Sequence, residues 1–295
     1  KKFNKNWTFA GLLGVISAFL ILGFYPVVGG WSLAYIFKSI TGLLSSPAIA
    51  DEFGLFVTSS VEPLVWMVIY LAINIVIVAR GVNKGLEQAS KVMMPALFIL
   101  FILVGIRSVT LPGAQAGLEF LFKPDWSVVN GQTFLAALGQ AFFSLSLGMG
   151  IMITYGSYIP KEERIPNSAA IVTALDTSVA LLAGIAIFPG LFAFGMEPTQ
   201  GAGLVFAVVP AIFGEMGALG PLFSVIFFSA LTLAALTSSM SLLEVVVAYL
   251  MDEKKIDRKK AVAGTGIVLA IMNILASLSM GLLSEFKIFG VVIFD

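Results

Sequence analysis

A chain of 295 residues that is 59% hydrophobic and 12% charged, with a mean hydropathy of +1.01, is not an ordinary soluble domain. Cysteine and histidine are both absent, which excludes disulfides, Cys/His metal sites and any nucleophile or base built on thiolate or imidazole. Seventeen basic residues balance seventeen acidic ones, so no nucleic-acid partner is implied.

The chain opens on Lys1 rather than methionine, which reads as an interior or processed start. Its first apolar run, about 8–37, far exceeds the ~7–15 residues of a signal-peptide core and is a span. Further runs long enough to cross a bilayer (~17–25 residues or more) lie at 63–79, 92–111, 134–156, 167–194, 221–250 and 261–282. The sequence therefore predicts seven spans, with Ile288 to Phe294 as the start of an eighth helix. Basic residues alternate in density between the two sides. Lys1, Lys2, Lys5, Arg80, Lys84, Lys91, Lys161, Arg164, Lys254, Lys255, Arg258, Lys259 and Lys260 fall on one side; Lys38, Arg107, Lys123 and Lys287 fall on the other. The positive-inside rule makes the first side, and the N-terminus of this chain, cytoplasmic.

Within the first span, Pro26 deletes a backbone donor and predicts a kink, while Gly29 and Gly30 permit close helix approach. Tyr25 brings a hydroxyl to mid-span, where it either serves a site or is satisfied in the core. The outer loop 43–62 carries Asp51 and Glu52 and says little. Residues 112–131, with Gly113, Gly117, Pro124 and Trp126, read as an outer loop with a short interfacial helix and an aromatic anchor.

The fourth span organises the rest. Gly139 to Tyr158 reads GQAFFSLSLGMGIMITYGSY, and its middle holds Ser144, Ser146, Gly148 and Gly150 within seven residues. Glycine weakens a helix and serine hydroxyls satisfy carbonyls that a helix releases. Unwound backbone at membrane depth persists only where protein buries it or it lines a polar cavity, and half-helix ends there suit an ion or a zwitterion. The other reading is a continuous helix whose small-residue face packs on a neighbour.

Residues 160–164 read as a short cytoplasmic turn, and Pro166 opens the next helix. Asp176 lies inside the fifth span, where a carboxylate is costly and marks function, or else is paired for packing. Residues 195–220, rich in glycine and proline, predict a structured outer loop of lid type. The sixth span carries Ala234, Thr237, Ser238 and Ser239, then Glu244. Such hydroxyls are hard oxygen ligands for a small cation, or they bond back to their own helix.

GQAFFSLSLGMG with ITYGSY, Leu175-Asp176 with the AGIAIFPG run, and Ala234-Ala235-Leu236-Thr237-Ser238-Ser239 with Tyr249-Leu250-Met251-Asp252-Glu253 resemble one family in order and spacing. It is the neurotransmitter:sodium symporter family, and the resemblance, which covers essentially the whole chain, is strongest to its bacterial amino-acid transporters. It implies an all-α polytopic membrane fold of two inverted five-helix repeats with a broken helix near the midplane. Residues 1–133 resemble helices three to five of the first repeat, and residues 134–295 resemble helices six to nine and the start of ten. The family's other broken helix and its outer-gate arginine are then expected to lie outside this chain.

The resemblance implies roles by position. Tyr25 resembles the tyrosine at the substrate carboxylate, and Phe143 the aromatic lid. Ser144 and Asp176 fall on the first sodium site; Ala234, Thr237 and Ser238 fall on the second. Ser144, Ser146 and Ser238 face the substrate, with Ile21, Met149 and Leu242 as side-chain pocket. Tyr25 and Phe143 serve the outer gate, and Tyr158 and Asp252 the cytoplasmic gate. Two positions depart from the family pattern. Pro26 stands where a small or aliphatic residue is expected, and Asp176 replaces asparagine. An ionised carboxylate at Asp176, with no hydroxyl at Ala180, would make the chloride of the animal members dispensable; the alternative is a protonated Asp176 that stands in for the neutral asparagine or carries a proton.

The function implied is sodium-coupled symport of an amino acid by a full-length protein in the plasma membrane. The apolar walls favour a hydrophobic or aromatic substrate. A non-transporting fragment acting as a scaffold or interaction partner is the alternative. A serine hydrolase is disfavoured, because no span lysine accompanies Ser144 or Ser238.

Overall fold

The computed structural model describes residues 7–46, 48–49, 51–80, 86–159, 162, 164–195, 198, 201–288 and 291–294. Lys1, Lys2, Lys5, Lys84 and Lys161, which entered the charge asymmetry above, lie outside them. The helices are α1 (Thr8–Leu22), α2 (Tyr25–Ile40), α3 (Glu52–Thr58), α4 (Glu62–Arg80), α5 (Leu86–Val109) and α6 (Ala114–Phe122). They continue as α7 (Gly131–Ser144), α8 (Ile151–Gly156), α9 (Ile165–Ala193), α10 (Val209–Gly214), α11 (Gly220–Lys254) and α12 (Arg258–Leu278).

Among the described residues, five stretches are long and apolar enough to cross a membrane: Thr8–Ile40, Glu62–Arg80, Ile165–Ala193, Gly217–Lys254 and Arg258–Leu278. The predicted 92–111 span lies largely within the 24-residue α5, whereas the 134–156 span is broken into α7 and α8. The first span kinks where Pro26 requires it, since Pro26 is the second residue of α2 and α1 has already ended at Leu22.

The predicted eighth helix is corrected at its start. Lys287–Ile288 (β1) and Val291–Val292 (β2) form a two-residue antiparallel ladder, Lys287 opposite Val292. Ile288, Val291 and Val292 are β-branched and lose side-chain freedom in a helix, so extended backbone suits them.

Packing is built on α11, which lies against α2, α5, α1, α4 and α12. Helices α2 and α4 approach each other closely. A Cβ on Gly30 would stand 2.6 Å from the backbone nitrogen of Met67, and one on Gly29 would fall into the Tyr70 ring. Residues 201–214 are held as an inward plug. Phe206, on a single wide turn at Leu204–Val208, stacks on Phe53 at 5.3 Å and meets Tyr35 at 5.1 Å. Within 112–131 the short helix is α6, whose Gly117 sits on the backbone of Phe188 and Pro189 in α9, while Trp126 beyond it is exposed.

Candidate functional site

The break between α7 and α8 is a helix stop followed by a helix start. Asn130 and Thr133 form a reciprocal capping box that begins α7. At the other end Ser146 adopts φ 57°. The Ser146 N–H donates to the Phe143 carbonyl at 3.1 Å and the Leu147 N–H to the Phe142 carbonyl at 2.8 Å. That double closure normally places glycine at the left-handed position, and here serine takes it. Gly148 (φ 78°) and Gly150 (φ 76°) then lead the chain into α8 in left-handed backbone. The segment is wedged on both sides. A Cβ on Gly14 of α1 would reach the Gly150 nitrogen at 3.0 Å, and one on Gly150 would reach Val245 of α11 at 3.0 Å. So the small residues serve both readings raised by the sequence: they unwind the helix and they pack its neighbours.

The unwound segment faces a cavity of about 280 Å³. Ile21 and Tyr25 line it from the α1–α2 kink. Phe143, Ser144, Ser146 and Met149 line it from the break, and Ser238 and Leu242 from α11. All eight residues assigned to substrate by position therefore converge on one space. Tyr25 directs its hydroxyl toward Ser238. Behind that face, the Ser239 hydroxyl is shared with Tyr70 (3.0 Å) and Asn74 (2.8 Å), which fixes the rotation of α11 against α4.

Two oxygen sets flank the cavity. Ser144, the last residue of α7, lies 2.5 Å from each carboxylate oxygen of Asp176 on α9. One hydroxyl proton serves only one of those oxygens at a time, so lone pairs remain for a cation beside the negative end of a half-helix. On α11, the Thr237 and Ser238 hydroxyls donate to the Ala234 carbonyl at 2.8 and 3.1 Å. This is the back-bonding that the sequence allowed, and it still turns hydroxyl lone pairs outward. Thr237 and Ser238 line the cavity, whereas Asp176 and Ala234 are not part of its lining. Both sets are hard oxygen donors of the type sodium takes.

Tyr158 and Asp252 share a second, wider cleft of about 620 Å³ between α1, α8 and the end of α11. Tyr158 also donates to Glu244 at 3.4 Å. Glu244 itself is buried and held by Arg258, at 3.1 and 2.5 Å from the two guanidinium amino groups. Arg258 further donates from Nε to the Val78 carbonyl at 3.0 Å.

Sequence reasoning did not assign several of these groups. Tyr155 and Ser241, 2.5 Å apart, line the cavity together with Ile151 and Met152. Ser241 lies four residues after Thr237 and Tyr155 belongs to the quoted ITYGSY, so helical spacing carried the signal for both. The sequence marks Glu244 but not its partner, because Arg258 lies across the α11–α12 turn.

The sodium:neurotransmitter symporter family model matches residues 57–294. The chain is 44% identical, over 99% of its length, to the uncharacterized sodium-dependent transporter YhdH of Bacillus subtilis, covering 65% of that protein. It is 41% identical to an uncharacterized sodium-dependent transporter of Haemophilus influenzae, over 100% of this chain and 66% of that one. The chain thus spans about two thirds of the length of these curated relatives. Among solved structures, MhsT in complex with L-phenylalanine superposes with a TM-score of 0.93 at 48% identity, over 99% of this chain and 67% of that one. The chain is a multi-pass membrane protein of the sodium:neurotransmitter symporter family, a family of transporters rather than of enzymes.

Proposed function

We propose that these residues form the larger part of a transporter that carries a hydrophobic or aromatic amino acid across the plasma membrane, driven by sodium. The observation that carries the proposal is the convergence of Phe143, Ser144, Ser146 and Met149, from an unwound mid-span segment, with Ile21, Tyr25, Ser238 and Leu242 on one cavity. At about 280 Å³ the space lies just below the ~300–1,000 Å³ of pockets for drug-sized ligands, a size for a single amino acid. Its walls at Ile21, Phe143, Met149 and Leu242 are apolar, and Tyr25 with the unwound backbone offers polar contacts for a carboxylate. MhsT, a solved relative, was crystallised with L-phenylalanine, which points the same way.

Sodium enters this scheme as co-substrate. Ser144 and Asp176 are its ligands beside the end of α7, and the Ala234 carbonyl, Thr237 and Ser238 are its ligands on α11. Binding there holds the unwound segment in the shape that completes the pocket. No covalent chemistry is needed, because each charge moved inward gains ~2.3 kcal/mol per 100 mV of membrane potential. Tyr25 with Phe143 closes the outer side and Tyr158 with Asp252 the cytoplasmic side. In this reading residues 1–133 and 134–295 belong to two inverted repeats, and the thirteen basic residues on one side face the cytoplasm.

The test is uptake of labelled L-phenylalanine by vesicles holding a full-length protein that contains this chain, with sodium imposed outside. Uptake that requires the inward sodium gradient is expected. Uptake indifferent to sodium, or none for any apolar amino acid, would reject the function. The 295 residues alone are expected to show none, as scaffold behaviour would also require, and sodium-driven uptake by them would reject the need for further helices.

A further inference from the structure

Two residues that face each other across the fold solve a problem set by one proline. In an α-helix the Leu22 carbonyl would accept from the N–H four residues on, and that residue is Pro26, which has none. The backbone shows the consequence. Gly23 and Phe24 donate three residues back, to Leu20 at 2.9 Å and Ile21 at 3.2 Å, and Val27 donates to Phe24 at 2.9 Å. The Leu22 carbonyl is met instead from α12, where Asn273 Nδ2 donates to it at 2.8 Å.

Asn273 is completely buried. Its second amide hydrogen goes to the Leu269 carbonyl, also at 2.8 Å. Both carbonyls face the NH₂ end, so turning the amide over would set three oxygens against one another and lose both bonds. Among the described residues its Oδ1 has no partner, which costs free energy in a buried site, so the donor end holds the amide. The kink is also pressed against α12. A Cβ on Gly23 would come within 2.7 Å of the Met272 methyl group.

Two cavity residues sit on either side of this carbonyl. Ile21 precedes Leu22, and Tyr25 is the first residue of α2. We infer that Asn273 supplies the donor that Pro26 lacks and so sets the angle between α1 and α2, making Asn273 a positioning residue for Tyr25 and Ile21 at the cavity. The inference rests on the reading of that cavity as the amino-acid site. It also explains how a tyrosine directly before proline keeps its hydroxyl toward Ser238.

The test is a double-mutant cycle in the full-length protein: Asn273→Leu, Pro26→Val, and the two together. Pro26→Val restores the backbone N–H, so the Leu22 carbonyl no longer needs Asn273. Asn273→Leu alone is expected to raise KM for sodium-driven L-phenylalanine uptake about tenfold, the size of one buried hydrogen bond, with kcat within about twofold. In the Pro26→Val background the same change should move KM by less than about threefold. An equal rise in both backgrounds would overturn the inference, as would an unchanged KM accompanied only by a lower Tm. A second readout does not depend on transport: the thiol-labelling rate of Ile21→Cys, in a protein otherwise free of cysteine. Asn273→Leu should change that rate by at least about threefold in the Pro26 background and leave it unchanged with Pro26→Val. The same rate in all four proteins would sink the positioning role. If no variant or parent transports but the labelling cycle shows coupling, the functional reading fails and the geometric one stands.

Discussion

Arg258→Met removes the guanidinium that neutralises Glu244 and keeps most of the length of the side chain. The Glu244 side chain is 5% exposed and that of Arg258 is 25% exposed, so the two ends of the pair differ in their access to water. With arginine gone, the 3.4 Å contact from Tyr158 is what the carboxylate keeps among the described residues. Breaking a buried pair by removing one partner costs ~3–5 kcal/mol. Loss of the Nε bond to the Val78 carbonyl adds ~1 kcal/mol. Glu244→Gln leaves an arginine that water reaches and a neutral amide that still accepts, so its cost is nearer ~1–2 kcal/mol. Replacing both, Glu244→Leu with Arg258→Met, removes the stranded charge and should recover most of the loss. Apparent Tm of the purified full-length protein in detergent, measured at one lipid and salt composition, ranks the set. The expected order is parent, double variant, Glu244→Gln, then Arg258→Met. Equal losses from the two single changes, or a double variant as weak as Arg258→Met, would refute the argument that the buried charge dominates.

Asp176→Asn should raise the sodium concentration for half-maximal uptake several-fold, because the Ser144 site loses its fixed charge. The parent should transport equally well in chloride and in gluconate, and chloride-dependent uptake by the parent would refute the fixed-charge role. Thr237→Val with Ser238→Ala should likewise raise the sodium requirement, and an unchanged sodium curve would leave those hydroxyls as helix-bonding groups only. For topology, a cysteine at Asp257 should resist external labelling in intact cells and one at Lys287 should accept it. The reverse pattern would invert the orientation drawn from the basic residues.

Much of this architecture was legible because hydropathy and punctuation act locally. The kink at Pro26, the start of α9 near Pro166 and the unwinding near Gly148 and Gly150 all follow from a residue's own backbone. Hydropathy, however, measures apolarity and not backbone continuity. That is why 134–156 counted as a span although it holds two short helices. Left-handed backbone at Ser146 was hidden for a related reason, since the position ordinarily belongs to glycine and the enclosing contacts decide it. The partners of polar groups were least legible. Asn273 meets the Leu22 carbonyl from 251 residues away, and no periodicity encodes that pairing. In the sequence Arg258 is one basic charge among several near the end of a span, whereas in the structure its guanidinium turns inward to Glu244. At the end of the chain the β-branched residues after Lys287 were apolar enough to read as a helix, and they pair as strands instead.

The central claim is that the space beside the broken helix binds an amino acid only when sodium is present. Because residues 1–295 contain no cysteine, a single reporter can be placed on its wall. Met152 lines the cavity and is 46% exposed, and it belongs to neither oxygen set. The measurement is the labelling rate of Met152→Cys in an otherwise cysteine-free full-length protein, with and without L-phenylalanine, in sodium and in potassium. The account predicts that L-phenylalanine slows labelling in sodium and leaves it unchanged in potassium. Equal protection in both salts, or no protection in sodium while sodium-driven phenylalanine uptake proceeds, would contradict it.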